Sequence, residues 1–376
     1  MKLGLVAGEA SGDLLAGLLL QGVNARWPQA RSVGIGGPRM VEQGFEAWWP
    51  SDRLAVHGYS EVIKVYFSLL KLRRELGDRL LAERPAVFVG VDAPDFNLGL
   101  EARLKAQGLK TVHFVCPSIW AWRGGRVHKL AASADHVLCL FPFEPALLAK
   151  ADVRASYVGH PLADAIPLEV PRTHARAALG LGERDVVLAV LPGSRRGEVT
   201  HIAPDFLRAA VRLKAARPEL RCLLPVAPGV RALVDAAVVV AGAQAAVELV
   251  DGRSHEVLAA CDVALVASGT ATLETALFKR PMVIGYRVAP LSYQIMRHMR
   301  YQPWIGLPNV LAESFVVPEF VQEAMTPEAL SNAVLAWLDD PAACEVVAQR
   351  FLAMHHELRR DTARAATAAI AEVAGA

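Results

Sequence analysis

The sequence predicts an α/β protein with two doubly wound, Rossmann-like domains. Short apolar runs alternate with amphipathic, helix-like segments almost from end to end, as expected for βαβ units that build a parallel sheet. A stretch with three prolines, His160–Pro171, separates two such series, and the length of 376 residues suffices for about two to three domains. We therefore expect domains at residues 1–165 and 166–345, followed by a helical tail at residues 346–376.

The apolar runs predict buried strands, because strands of parallel sheets are covered on both faces. In the first domain these runs are Leu3–Ala7, Ala86–Val91, Thr111–Val115, His136–Leu140 and Ser156–Val158, and in the second they are Val186–Leu191, Arg221–Val226, Asp262–Val266 and Pro281–Gly285. Helical patterns lie between them near Asp13–Arg26, Glu61–Glu83, Asn97–Gln107, Arg123–Ala132, Pro204–Ala216, Val230–Val240, Ala271–Phe278 and Pro327–Leu338. Gly34–Pro38 predicts a glycine loop, and an Ala-rich helix at about Ala342–Val373 is expected to pack back across the first domain or onto a partner chain.

The composition argues against several classes of protein. With 40 Lys+Arg against 38 Asp+Glu, the net charge of +2 lacks the excess that a dedicated nucleic-acid binder usually carries. A hydrophobic content of 53% against 21% charged residues excludes a disordered chain. The five scattered cysteines form no CxxC pair and predict free thiols in a reducing cytosol. We expect neither a secretory signal nor a membrane-spanning helix.

Polar residues follow the first predicted strand in the turn Gly8–Asp13. Its glycines allow a tight turn, and Ser11 or Asp13 would cap the helix that follows. The carboxylates of Glu9 and Asp13 suit sugar hydroxyls or an amine better than a phosphate. A capped turn without any ligand remains the alternative.

A second acidic motif, Asp92–Asn97, follows the strand Ala86–Val91 directly. Catalytic residues cluster at the carboxyl ends of central strands in such sheets. Asp95 or Asn97 would cap the next helix, whereas Asp92 has no obvious capping role and is placed to act as a general base toward an alcohol.

Two tryptophans lie close together in the loop Pro117–Arg123. Trp120 and Trp122 would stack on sugars or cover acyl chains, and Arg123 would clamp a phosphate. The alternative is a packed loop with a cation–π contact.

In the second domain, two strand-to-helix turns favour a nucleotide diphosphate. Leu191–Glu198 combines small residues with Arg195 and Arg196 but is not an NTPase P-loop. Ala267–Glu274 offers hydroxyls and amides at a helix start, and Glu274 would accept from two ribose hydroxyls or serve as a capping-box carboxylate. With two α/β domains facing each other, we expect the site in the cleft between them.

No DxD triplet and no His/Cys/Asp cluster with metal-ligand spacing occurs in the sequence, so we expect neither a metal nor a cofactor. His160, His201 and His255 are isolated, and we expect structural or surface roles for them.

The stretch Val56–Leu81 carries more apolar residues than one buried helical face requires, with Lys and Arg interleaved. An apolar patch with a basic rim suits the surface of an anionic membrane or the capture of an acylated substrate. A helix buried on two sides remains the alternative.

These motifs together resemble one family, the lipid-A-disaccharide synthases, which are inverting glycosyltransferases of the GT-B fold. The matching stretches run in family order over nearly the whole chain: Gly8–Asp13, Gly34–Met40, Asp92–Asn97, Pro117–Arg123, Phe141–Glu144, Gly159–Asp164, Leu191–Val199, Ala267–Glu274, Pro308–Leu311 and Pro318–Gln322. Single motifs are weak, but the ordered set is highly specific. Ala10 departs from the threonine that is common in the family.

The resemblance implies that UDP-2,3-diacylglucosamine donates its sugar to 2,3-diacylglucosamine 1-phosphate (lipid X), forming a β-1′,6 link and releasing UDP. The reaction takes place at the cytoplasmic face of the inner membrane and needs no metal. The resemblance further implies a peripheral membrane protein, and often a homodimer that exchanges C-terminal parts.

The resemblance also implies roles for individual residues, with Asp92 as the base. We expect Glu9 and Ser11 to touch the sugars and complete the catalytic set with Asp92, and the backbone of Gly193 and Ser194 to face the diphosphate. The UDP-binding residues are expected to be Gly193, Ser194, Arg195, Arg196, Ser268, Gly269, Thr270, Thr272, Glu274, Asn309, Glu313 and Gln322. Acyl chains or the bilayer would meet Val62, Ile63, Tyr66, Phe67, Leu69 and Leu70.

Two other functions remain open. One is a GT-B enzyme with a soluble sugar substrate, similar to a UDP-N-acetylglucosamine epimerase, and the other is a membrane-associated protein that binds a nucleotide sugar without turnover. A dehydrogenase is disfavoured, because no GxGxxG follows the strand Leu3–Ala7.

Overall fold

The computed structural model of the chain describes residues 1–8, 10–54, 62–121, 124–289, 293–294 and 301–376, without the side chains of residues 10 and 62–66. The described residues form two compact units. Residues 1–164 and 357–376 make up the first unit, and residues 165–356 make up the second. The tail expected at residues 346–376 is therefore divided between the two units.

Among the described residues of the first unit, a parallel sheet joins seven strands in the order 3-2-1-4-5-6-7. The strands are β1 (Lys2–Ala7), β2 (Arg31–Gly36), β3 (Glu46–Pro50), β4 (Val87–Val91), β5 (Lys110–Phe114), β6 (His136–Cys139) and β7 (Ala155–Tyr157). This order belongs to doubly wound folds and reverses between β1 and β4.

The predicted glycine loop at Gly34–Pro38 is wrong, because its first residues belong to β2. Gly34 has φ +141°, and a Cβ there would overlap with the carbonyl oxygen of Leu5 on the neighbouring strand. Glycine is needed here for close approach of two strands, which the sequence pattern alone does not distinguish from a turn.

Helices cover both faces of this sheet. They are α1 (Ala10–Arg26), α2 (Pro38–Val41), α3 (Val62–Glu83), α4 (Pro94–Ala106), α5 (Arg126–Ser133), α6 (Glu144–Ala149) and α7 (Pro161–Ala165), with a 3-10 turn at Ser51–Leu54. Leu3 and Leu5 pack in the core on the side of α1, whereas Val6 and Phe88 pack on the side of α3 and α4. The expected linker His160–Pro171 contains α7, so it is not entirely irregular.

In the second unit, six described strands form another parallel sheet, in the order 10-9-8-11-12-13. They are β8 (Val187–Leu191), β9 (Arg221–Val226), β10 (Glu248–Asp251), β11 (Val263–Ala267), β12 (Met282–Tyr286) and β13 (Glu319–Val321). The helices are α8 (Arg172–Ala178), α9 (Arg196–Ala216), α10 (Arg231–Ala241), α11 (Ser254–Ala260), α12 (Thr270–Leu277), α13 (Leu307–Leu311), α14 (Pro327–Asp339) and α15 (Pro341–Leu358), with a 3-10 turn at Gln322–Ala324. Helix α9 begins well before its predicted start at Pro204, which lies inside it.

The prediction of a single C-terminal helix at Ala342–Val373 is wrong, because this region forms two helices. Helix α15 ends at Leu358, and a last helix, α16, spans Thr362–Ala374. Asp361 interrupts the helical path with φ +54°. The Asp164 carboxylate accepts hydrogen bonds from the amides of Asp361 and Thr362, at 3.0 and 2.7 Å. Helix α16 packs against α1 of the same chain.

Candidate active site

The strand order of the first sheet reverses between β1 and β4, and two of the polar motifs follow these strands directly. Ala7 and Val91 are in register at the ends of the two strands, so Gly8 and Asp92 begin neighbouring loops. Ligands of open parallel sheets bind at the carboxyl ends of strands where the order reverses. This edge of the first unit is therefore its candidate site.

Asp92 is held in a strained turn at this edge. Asp92 and Ala93 are both left-handed, with φ +51° and +43°. Such residues cost about 1–3 kcal/mol each and persist only where the surrounding structure holds them. The Asp92 amide donates to the Phe114 carbonyl at 2.8 Å, and Asn97 Nδ2 donates to the Asp92 carbonyl at 2.8 Å. The half-buried carboxylate forms no hydrogen bond or ion pair with any described residue. It is therefore available to a substrate.

Neither residue expected to cap α4 does so. The Asp95 side chain is exposed and pairs with Arg126 at 2.7 Å, and the Asn97 side chain turns back to the strand end. The predicted caps were wrong, because the N-cap of α4 is the left-handed Ala93, which is followed by Pro94.

The turn after β1 also differs from its prediction. Helix α1 already begins at Ala10, so Ser11 and Asp13 lie inside its first turns. The buried Asp13 carboxylate accepts from the amides of Gly37, Arg39 and Met40 at 2.9 to 3.2 Å, so it caps α2 and not α1. Ser11 is exposed, and Glu9 lies outside the described residues.

Further along the same edge, Trp120 and Glu144 join the loops that follow β5 and β6. Glu144 is 1% exposed and accepts from Trp120 Nε1 and the Phe141 amide, both at 3.1 Å. Burial outweighs these bonds and raises the pKa of Glu144 to about 7. Trp120 meets Phe141 and Phe143 edge-on, which agrees with the packed-loop alternative. Trp122 and Arg123 lie outside the described residues.

Buried His160 lies beside this cluster, with its ring 5.7 Å from that of Phe141. Its Nδ1 accepts from the Leu162 amide, and burial lowers its pKa to about 4. His160 is therefore a neutral structural residue.

In the second unit, the strand order reverses between β8 and β11, and the two predicted nucleotide turns follow these strands. In the first turn the Glu198 carboxylate accepts from the amides of Ser194 and Arg195, at 3.0 and 3.3 Å. The Ser194 amide therefore already has an acceptor in this structure, and its expected contact with a diphosphate stays a prediction. Gly193 has φ +114°, and a Cβ there would lie 2.5 Å from Glu198 Oε2. The side chains of Arg195 and Arg196 are exposed to solvent.

The second turn also uses some of its hydroxyls internally. Ser268 Oγ donates to the Ile305 carbonyl at 2.8 Å, and buried Thr272 donates to the Gly269 carbonyl. Gly269 and Thr270 are exposed.

The capping-box alternative for Glu274 is wrong. A capping-box carboxylate must belong to the third residue of a helix, and Glu274 lies beyond that position in α12. Its carboxylate lies 3.8 Å from His255 and raises the pKa of that imidazole. Glu274 therefore already has one partner on α11.

Comparisons with known proteins identify a family for the chain. A family model described as lipid-A-disaccharide synthetase matches residues 3–371. A lipid-A-disaccharide synthase from Albidiferax ferrireducens is 56% identical over 99% of this chain and 97% of its own length. One from Aromatoleum aromaticum is 50% identical, over 98% and 95% respectively.

The chain belongs to the lipid-A-disaccharide synthase family. It is therefore a glycosyltransferase of lipid A biosynthesis, as the ordered motifs indicated.

The fold is also shared with more distant solved structures. A UDP-GlcNAc 2-epimerase from Neisseria meningitidis has a TM-score of 0.69 at 10% identity, covering 99% of this chain and 100% of its own. A glycosyltransferase from Rickettsia africae has a TM-score of 0.60 at 9% identity, covering 99% and 98%. These likenesses confirm the predicted GT-B fold.

Two residues that the synthase resemblance placed in the nucleotide pocket have protein partners in this structure. Asn309 is fully buried, its Oδ1 accepts from the amides of Val316 and Val317, and its Nδ2 donates to Glu319 Oε1 at 2.8 Å. Gln322 uses its side-chain amide to bond both backbone groups of Val288. These two side chains therefore shape the backbone. Glu313, by contrast, is exposed.

The proposed membrane contacts of the synthase lie on α3, and the structure describes only some of them. Phe67 is 64% exposed, and Leu69 and Leu70 are half-buried. The side chains of Val62, Ile63 and Tyr66 lie outside the description. None of the described helices combines the length and the apolarity needed to cross a bilayer. No group of three or more potential metal ligands occurs among the described side chains.

Sequence reasoning missed the polar residues behind Asp92. Glu101 and His113 are completely buried, and His113 Nδ1 lies 2.7 Å from Glu101 Oε1. Two signals were present, because His113 interrupts the apolar run of β5 and Glu101 follows Asn97 by one helical turn.

Proposed function

We propose that the protein transfers 2,3-diacylglucosamine from UDP to 2,3-diacylglucosamine 1-phosphate, with inversion at the sugar C1 and release of UDP. Asp92 carries this proposal, because its carboxylate has no partner among the described residues and is held at the edge where the strand order reverses. The family membership supports the reaction class.

In this mechanism the Asp92 carboxylate accepts the proton of the acceptor's 6-hydroxyl as that oxygen attacks C1 of the donor sugar. The bond from C1 to the diphosphate breaks on the opposite face, and UDP departs with the electron pair. Attack and departure on opposite faces give inversion. Ser11 and Glu9 would contact the sugars from the turn after β1.

The second unit would hold UDP. Exposed Arg195 and Arg196 follow β8, where a guanidinium would offset the charge that grows on the diphosphate. One charge-assisted contact of this kind is worth about 1.5–3 kcal/mol, so its loss would slow turnover roughly ten- to a hundredfold. Gly269 and Thr270 present exposed backbone and hydroxyl groups after β11, and Glu274 would hold the ribose.

Membrane contact would occur through α3 of the first unit, where Phe67 is exposed. The acyl chains or the bilayer would meet this apolar surface at the cytoplasmic face of the inner membrane. A peripheral enzyme of this kind would work without a metal. Homodimers would exchange C-terminal parts, so that α16, which packs on α1 of its own chain in this structure, would pack on the partner instead. Serine substitutions at Phe67, Leu69 and Leu70 should enlarge the soluble fraction, and unchanged membrane recovery would count against this contact.

The test is UDP release by the purified protein, given the diacylated donor and acceptor together in EDTA. We expect release that requires both lipids and survives EDTA. Release without the acceptor would indicate a hydrolase or an epimerase-like enzyme. UDP binding without any release would indicate a nucleotide-sugar-binding protein, and either result would overturn the proposal.

A further inference from the structure

A buried polar cluster lies directly behind the Asp92 turn. Its members are Asn97 and Glu101, one turn apart on α4, and His113 on β5, and all three are completely buried. His113 Nδ1 and Glu101 Oε1 are 2.7 Å apart. We call these three residues the Glu101 cluster.

The strand makes room for this cluster at Gly90. A Cβ at Gly90 would overlap with Glu101 Oε1 and would lie 2.9 and 3.0 Å from Cβ and Cγ of Asn97. Both side chains therefore converge on one point of β4. An alanine at this position could not coexist with them unchanged.

Stability alone does not account for the cluster. Asn97 Oδ1, Glu101 Oε2 and His113 Nε2 are buried and have no hydrogen-bond partner among the described residues. Buried polar groups are normally paired, and apolar residues of similar volume often fold as well or better. The cluster does have one contact with the candidate site, because Asn97 Nδ2 donates to the Asp92 carbonyl.

We propose that Asn97, supported by Glu101 and His113, is a positioning residue that holds the Asp92 carboxylate in its left-handed turn for proton transfer. This inference rests on the proposed function of Asp92. Burial raises the pKa of Glu101, which favours its protonated form. In this arrangement a protonated Glu101 Oε2 would donate to Asn97 Oδ1, and Oε1 would accept from His113 Nδ1. The carboxamide is then fixed with its Nδ2 on the Asp92 carbonyl.

Three variants test this arrangement through kcat and KM. Asn97→Ala should lower kcat roughly tenfold with little change in KM for either lipid, because the hydrogen bond that holds the Asp92 carbonyl is lost. Glu101→Leu should lower kcat in the same direction. Glu101→Gln should retain activity within about twofold, since its amide can donate to Asn97 as the protonated acid does. Asn97→Ser replaces Asn97→Ala if the alanine variant fails to fold.

The matched control is Thr111→Val, which removes another buried hydrogen bond from β5. Thr111 Oγ1 donates to the Ser133 carbonyl at 2.8 Å. We expect this variant to lose stability without a comparable loss of kcat. If kcat falls as much in Thr111→Val as in Asn97→Ala, the loss of activity in the cluster variants is explained by general destabilisation, and the inference is overturned.

A double-mutant cycle with Asp92→Asn separates positioning from structure. If Asn97 acts through Asp92, Asn97→Ala should cause no further loss in the Asp92→Asn background. The same fractional loss in both backgrounds would refute the inference. If kcat falls sharply in Asp92→Asn but is unchanged in Asn97→Ala, this inference alone is overturned. Full activity of Asp92→Asn would overturn the proposed function as well.

Discussion

Glu144 should make the stability of the first unit depend on pH. The carboxyl is 1% exposed, and burial raises its pKa from the usual 4.5 to about 7, although Trp120 Nε1 and the Phe141 amide both donate to it. The perturbation is Glu144→Gln, which keeps the size of the side chain and removes its titration.

The size and sign of the effect follow from the difference in pKa. Between about pH 4.5 and 7 the folded protein keeps a proton on Glu144 that the unfolded chain has lost. The contribution of Glu144 to the free energy of unfolding is therefore complete below pH 4.5 and is lost as the pH rises to 7. At 1.36 kcal/mol for each pKa unit, the loss amounts to about 3 kcal/mol. Glu144→Gln has no such loss. Trp120 Nε1 and the Phe141 amide bond different oxygens of Glu144, and an NH2 group replaces one of these in the variant, which lowers its stability at every pH.

The assay is urea unfolding of wild type and variant at several pH values between about 4.5 and 8. We expect the difference in the free energy of unfolding to move by about 3 kcal/mol in favour of the variant as the pH rises, and to stay constant above 7. Glu75→Gln, on the exposed side of α3, is the matched control and should show no comparable change. If the free energy of unfolding changes with pH in the same way in wild type and in Glu144→Gln, the reasoning is refuted.

Other substitutions test the packing of each unit. Gly22→Ala places a Cβ against the Ala363 carbonyl oxygen, so α16 must shift, and urea unfolding should show a loss of about 1–3 kcal/mol; Gly125→Ala, where a Cβ meets nothing within 4 Å, should be nearly neutral. Equal effects of the two glycine variants would contradict the docking of α16 on α1. Asn309→Ala removes the side-chain acceptor of the buried Val316 and Val317 amides and one donor to Glu319, and thermal unfolding should show a loss of about 2–4 kcal/mol. If Asn309→Ala instead weakens UDP binding at unchanged stability, its side chain contacts the nucleotide.

The sequence predicted the central strands well and the edge strands poorly. Long apolar runs mark β1, β4, β8 and β11, because these strands are buried on both faces. Strands β3, β10 and β13 were missed, because they are short or partly exposed and carry polar residues. Strand β2 was missed as well, because its glycines predicted a loop. The break at Asp361 was missed because the Ala-rich helical pattern continues on both sides of it.

The positions of the candidate site could be predicted, but many of its contacts could not. Motifs after β1, β4, β8 and β11 could be placed because parallel strands bring their carboxyl ends to one edge of a sheet. Which amide a carboxylate accepts from depends on the loop geometry, and so the partners of Asp13 and Glu198 were not foreseen. Burial of Glu101 and Asn97 likewise depends on the space left at Gly90, and only the folded structure shows that these residues meet there.

The role of Asp92 is tested most directly by comparing turnover of Asp92→Asn and Asp95→Asn with wild type, with both lipid substrates present. Both variants remove one carboxylate from the segment Asp92–Asn97, but Asp95 lies in the first turn of α4, is exposed and pairs with Arg126. Loss of a general base should lower kcat of Asp92→Asn roughly a hundred- to ten-thousandfold, with UDP affinity preserved and Asp95→Asn close to wild type. Turnover of Asp92→Asn near the wild-type rate would contradict the account.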